Sequence, residues 1–159
     1  MPSVSAVDLS PHDPRRVLIV DDDPEVRAML SRVLQQEALT VDMAHDGEVA
    51  LELLRDHHYA VVLLDLMMPG IDGFDVLDAI RTDPTMEQPV VLVVSGAERA
   101  MLNRLDASRI HGVVKKPFDP NELAAVVATC VDIRGRNSLG TMALATMISS
   151  APLIALLKL

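Results

Sequence analysis

Polar side chains stand directly behind four apolar runs. Asp21 and Asp22 follow VLIV, Asp65 follows AVVLL, Ser95 follows VVLVV, and Lys116 follows GVV and Lys115. Three carboxylates brought close together repel one another, and in isolation at least one is driven toward protonation. A divalent cation resolves the conflict, because Mg2+ takes oxygen ligands, commonly one or two carboxylates completed by water and substrate phosphate. Lys116 adds a compact positive charge and Ser95 a hydroxyl donor, a combination suited to a phosphoryl group. A carboxylate can itself accept phosphoryl to give an aspartyl-phosphate. Asp65 stands alone behind the central run and is the candidate acceptor, whereas the adjacent Asp21 and Asp22 are better placed to hold metal. Singly, each position has a plainer reading: a helix cap for the acidic triplet, turn chemistry for Asp65 and Ser95, surface charge for Lys115 and Lys116. Their joint occurrence at successive run ends carries the functional reading.

The elements that must position these groups can be read from the same runs. Residues 60–64 and 90–94 are apolar at every position, as suits strands covered on both faces of a parallel sheet. Val17 to Val20 is a third such strand, Thr40 to Ala44 a half-polar one expected at a sheet edge, and Gly112 to Lys115 a short fifth. Between them lie helical patterns. The first carries Val26, Met29, Leu30, Val33 and Leu34, with Asp23 as N-cap and Pro24 at the first helical position. The second spans Gly47 to Asp56, the third about Asp72 to Arg81, and a weaker fourth about Glu98 to Ala107. The last starts near Pro120 and turns Leu123, Val126, Val127 and Val131 to one side. Five strand–helix alternations with short connections and right-handed crossovers predict an α/β parallel sheet with helices on both faces. In such sheets ligands bind beyond the carboxyl ends of the strands, where all the candidate groups lie.

Composition narrows the partners. The net charge of -9 opposes direct contact with nucleic acid or anionic lipid. The aromatics are only Tyr59, Phe74 and Phe118, which leaves no platform for stacking bases. Cys130 is alone, so no internal disulfide can form, and the five His show no metal-ligand spacing. The N-terminus lacks a signal-peptide layout, and a cytoplasmic location is expected.

Taken together, VLIVDDDPEVR, VVLLDLMMPGIDGFDVL, VLVVSG and GVVKKPF make the stretch from Arg16 to Val131 resemble the receiver domain of two-component response regulators. The resemblance implies a doubly wound, flavodoxin-like five-stranded sheet of order 2-1-3-4-5. It also implies that Asp65 is the phosphoacceptor for a histidine kinase or phosphotransfer protein. Asp21 and Asp22 match the family's Mg2+-holding pair, and the backbone carbonyl of Met67 falls where it would complete the metal site. Ser95 matches the hydroxyl that follows the phosphate, and Lys116, before Pro117, the lysine that pairs with it. One position departs from the pattern: three residues before Lys116 the family commonly has Tyr or Phe, and here stands Val113.

Three segments are expected: a disordered leader over 1–15, the receiver over 16–133, and a linker with an apolar, helical tail over 134–159. The tail is diluted by polar residues and Pro152, so docking on the receiver, on a second copy in a homodimer, or on a partner is expected rather than a membrane span. Few residues remain after Val131 for a further domain, so a stand-alone module that switches an output protein is expected. Two other functions stay open: an interaction module independent of phosphorylation, if Val113 disables the switch, and an aspartyl-phosphate phosphatase using Asp21. Pro24, and the lack of room for a cap domain, count against the phosphatase.

Overall fold

The computed structural model describes residues 13–136. Five strands alternate with five helices: β1 (Arg16–Val20), α1 (Pro24–Gln36), β2 (Thr40–Ala44), α2 (Gly47–Asp56), β3 (Val61–Leu64), α3 (Gly73–Thr82), β4 (Val90–Ser95), α4 (Arg99–Leu102), β5 (Gly112–Lys115) and α5 (Pro120–Arg136). The strands form one sheet of order β2-β1-β3-β4-β5, all neighbours parallel. This is the doubly wound, flavodoxin-like order expected from the sequence.

Alternation along each strand divides the core into two layers. Val17, Ile19, Val61, Leu63, Leu92 and Val94 face α1 and α5, meeting Leu30, Leu34, Leu123 and Val127. Leu18, Val20, Val62, Leu64, Val91 and Val93 face the other way, toward Ala50, Leu54, Val76, Leu77, Ile80 and Leu102 of α2, α3 and α4. Every residue of β1, β3 and β4 is buried, while β2 is largely half-exposed at the sheet edge. Its polar Asp42 has a structural partner set. Asp42 Oδ2 lies 3.0 Å from the buried Arg16 guanidinium and accepts the Tyr59 hydroxyl at 2.7 Å.

The helix ends follow the cap chemistry. Asp23 accepts the backbone N–H groups of Glu25 and Val26, and Asp72 and Asp75 form a reciprocal capping box on α3. α1 closes in a Schellman arrangement: the Leu39 N–H reaches Leu34 O and the Ala38 N–H reaches Gln35 O. Ala38 therefore sits at φ 55°, a position that usually falls to glycine.

Two expectations need correction. The fourth helix is only Arg99–Leu102, not the run to Ala107. Glu98 provides no side-chain cap, and Asp106 bonds both the backbone N–H and the hydroxyl of Ser108, holding a local turn that competes with a continued helix. The expected disordered leader also overreaches, because Arg15 is tied to the body. Its guanidinium donates to the carbonyls of Glu37 and Ala38 just past α1 and pairs with Asp132 on α5 at 2.8 Å. The leader up to His12 and the apolar tail from Asn137 lie outside the described residues.

Candidate functional site

Parallel pairing sets the carboxyl ends of β1, β3, β4 and β5 side by side. The Asp65 N–H continues the ladder to Val20 O at 2.9 Å, and the Lys116 N–H bonds Ser95 O at 3.1 Å. The residue after each strand is thereby fixed by the sheet before its side chain makes any contact. One ligand atom from each of Asp21, Asp22 and Asp65 falls within 4.8 Å of the others. Asp21 and Asp65 are buried and Asp22 is exposed, so the cluster has one wet side. Among the described residues no other group of three or more His, Cys, Asp or Glu is placed to share a metal ion.

Each member is held by neighbours. Asp21 Oδ1 accepts the Asp23 N–H at 2.9 Å, and its Oδ2 lies 2.7 Å from Lys116 Nζ. Lys116 Nζ is also 3.6 Å from Asp65 Oδ2. The Met67 N–H donates to Asp65 Oδ1 at 3.2 Å. Ser95, wholly buried, accepts the Ala97 N–H on its hydroxyl at 3.2 Å. The Lys116–Pro117 peptide is cis.

Burial pushes the Asp65 carboxyl above its usual range. The Met67 N–H and the Lys116 ammonium pull it back, and the Asp21 charge raises it again. Burial alone would lower Lys116, yet the hydrogen bond and charges supplied by Asp21 and Asp65 hold it above its usual value. The donor set thus combines hard oxygens with a fixed cation, which fits a divalent ion of the Mg2+ type and an anionic group beside it.

The turn after Asp65 depends on two glycines. Gly70 follows Pro69 at φ 78°, a left-handed position that residues with a Cβ rarely adopt. Gly73 opens α3 against the strand end: a Cβ there would lie 2.6 Å from Leu66 Cα and would also meet the Asp65 carbonyl oxygen. This close approach is what lets α3 begin directly under the candidate acceptor.

Asp21, Asp22, Asp65 and Lys116 are brought into one cluster, with Ser95 at the adjoining strand end. Asp23 is a cap, and Lys115 is exposed. Val113 is buried among the residues facing α2, α3 and α4. Sequence reasoning missed Arg27, whose guanidinium donates to the Asp21 carbonyl oxygen at 2.7 Å and pins the turn behind the acidic pair. Its place four residues after a cap was the available signal. Also missed was a cleft of about 700 Å³ whose lining includes Asp65, Lys116, Met67, Ala97, Glu98 and Arg104. The small residues Gly96, Ala97 and Ala100 are among its lining, and single-residue motifs do not reveal such recesses.

The family described as "Response regulator receiver domain" matches residues 17–128. Transcriptional regulatory protein TcrA of Mycobacterium tuberculosis is 36% identical over 110 residues, which are 69% of this chain and 43% of that protein. Transcriptional regulatory protein CpxR of Escherichia coli is 39% identical over 111 residues, 69% of this chain and 46% of that protein. The chain spans less than half the length of these curated relatives. Among solved structures, response regulator TrrA of Thermotoga maritima, in complex with Mg(2+)-BeF, is 31% identical with a TM-score of 0.64, covering 73% of this chain and 98% of that one. A signal receiver domain from Bermanella marisrubri is 36% identical with a TM-score of 0.66, covering 74% and 98%.

Proposed function

Because this chain belongs to the response regulator receiver domain family, we propose that it accepts phosphoryl on Asp65 from a phosphohistidine donor and so switches the binding of an output protein. The observation that carries this reading is the meeting of Asp65 with Asp21, Asp22 and Lys116 at the carboxyl ends of neighbouring strands.

The two buried aspartates have different tasks. Asp21 is engaged on both carboxylate oxygens, by Lys116 and by the Asp23 N–H, which suits a fixed ligand. Asp65 borders the open cleft and can be reached by a donor. That contrast favours Asp65 over Asp21 as nucleophile and speaks against a phosphatase acting through Asp21. Asp21, Asp22 and Asp65, with the Met67 carbonyl, would hold Mg2+, which when bound neutralises phosphoryl oxygens. Lys116 pairs with the anionic oxygens from the β5 side, and the Ser95 hydroxyl donates to one of them. Met67 N–H, already aimed at Asp65 Oδ1, keeps the carboxylate oriented for attack.

Val113 offers no aromatic ring to swing between the site and the output face. The change on phosphorylation is then carried by Ser95 and the segment after it, through the short α4. Residues 16–133 are read as the receiver module, acting in the cytoplasm.

Labelling by a small phosphodonor in Mg2+ tests the reading. The parent protein is expected to incorporate one phosphoryl group, and Asp65→Asn none. Undiminished labelling of Asp65→Asn would overturn it.

A further inference from the structure

The three aspartates of the acidic cluster are not held alike. Asp21 is bonded on both carboxylate oxygens, and Asp65 accepts the Met67 N–H. The exposed Asp22 carboxylate makes no hydrogen bond or ion pair among the described residues, yet one of its oxygens falls within 4.8 Å of ligand atoms on both of the others. With no contact at the side chain, the aim of Asp22 depends on the two peptide groups that flank it. Both are fastened. The Arg27 guanidinium donates to the Asp21 carbonyl oxygen at 2.7 Å, which fixes the peptide ahead of Asp22. Asp21 Oδ1 accepts the Asp23 N–H at 2.9 Å, which fixes the peptide behind it. Because each peptide is planar, the two planes together set φ and ψ of Asp22. Arg27 can reach that carbonyl because α1 starts at once: Asp23 caps the helix, and the Arg27 N–H bonds Asp23 O in the first turn. No carboxylate of the described residues pairs with the half-buried Arg27, even though Asp21 and Asp22 adjoin the carbonyl it binds.

Resting on the reading of Asp21, Asp22 and Asp65 as the Mg2+ ligands, we propose that Arg27 is a positioning residue for the metal site and acts through Asp22. It binds none of the carboxylate oxygens; it holds the peptide plane from which the exposed ligand projects. Charge and positioning predict opposite signs for its removal. A guanidinium beside the site repels a divalent cation, so on charge alone a variant without it would bind Mg2+ more tightly. A residue that orients a ligand does the reverse, because metal sites lose affinity when the hydrogen bonds behind their ligands are removed.

Titration calorimetry with Mg2+ decides the sign. Arg27→Met, which keeps much of the side chain's length without its donors or charge, should bind Mg2+ about tenfold more weakly than the parent. Arg27→Lys, with a flexible ammonium in place of the planar fork, should fall between the two. The loss should also depend on Asp22: in an Asp22→Asn background, Arg27→Met should weaken binding by less than about twofold, the non-additivity of residues that act as one unit. A role in general folding would weaken binding equally in both backgrounds. Binding by Arg27→Met as tight as the parent's or tighter, or equal losses with and without the Asp22 carboxylate, would overturn the inference and leave the acceptor reading of Asp65 standing. Should Arg27→Met not fold, Arg27→Lys carries the same two comparisons. A parent protein that binds no Mg2+ would remove the metal site and this role with it.

Discussion

Lys116 Nζ sits 2.7 Å from Asp21 Oδ2 and 3.6 Å from Asp65 Oδ2, so a cation entering beside Asp21 meets a positive charge already bonded there. Lys116→Met should therefore bind Mg2+ more tightly than the parent, by about two- to fivefold for a partly exposed pair, while losing most phosphoryl labelling. Titration calorimetry reads the first effect; weaker Mg2+ binding by the variant would show that Lys116 orders the site instead of competing for it. Met67 governs a different property. Hydrolysis of an aspartyl-phosphate needs a water held in line with the departing bond, and the half-exposed Met67, which lines the cleft, cannot hydrogen-bond one into place. A long-lived phosphorylated state is expected, and Met67→Asn should shorten it several-fold. Decay of the labelled protein after donor removal measures this, and equal lifetimes would refute it. Ala97, which also lines the cleft, is packed into the core layer facing α2 to α4.

At the scale of elements, the caps and strand ends were readable because one or two residues decide them: Asp23 before Pro24, Asp72 before Gly73, Asp65 closing an all-apolar run. What escaped notice is decided by several weak terms together. α4 stops after Leu102 because its start lacks a cap bond and Asp106 claims Ser108 a turn later, and helical periodicity registers neither. The tight closure of α1 was likewise hidden, since the residue in the left-handed position is Ala38 and not the glycine that marks such ends. That substitution leaves strain behind. The left-handed conformation costs a residue bearing a Cβ about 1 kcal/mol, while the Schellman bonds and the Leu34–Leu39 pairing in the core hold it in place. Ala38→Gly should stabilise the protein by about 1 kcal/mol, seen as a higher denaturant midpoint with unchanged slope. A lower midpoint would mean that the entropy of glycine in the unfolded chain outweighs the relief.

For the whole molecule, the parallel sheet and the convergence at one sheet edge were legible because apolar runs, crossover handedness and short connections leave few topologies, while the strand order came only with the resemblance to receiver domains. The cation–π pairing of Arg104 with Phe74, 4.8 Å from guanidinium to ring centroid, was not legible, because it joins residues far apart in sequence through a surface only the fold creates. The same holds for His111, which precedes β5 and fastens it to β4 from both sides. Its N–H bonds Val91 O at 2.8 Å, and its ring Nδ1 accepts the Val91 N–H at 3.0 Å. Only an imidazole unprotonated at Nδ1 can accept that bond, and burial, with the Arg134 charge on α5, holds its pKa below the ordinary value of 6.5. The sign of the linkage follows. Below about pH 6.5 the unfolded chain binds a proton at this residue that the folded protein refuses, so stability falls with pH until the folded value is reached. Asp65 acts in the opposite sense in a lower window: burial raises its folded value above 3.8, so protonation there relieves the native state first. His111→Asn keeps an acceptor for the Val91 N–H but removes the titrating ring. Between pH 7.5 and 5.5 the denaturant midpoint of the parent should decline more steeply than that of His111→Asn, the gap closing above pH 7. Parallel declines would show that the β4–β5 fastening does not depend on the charge state of His111.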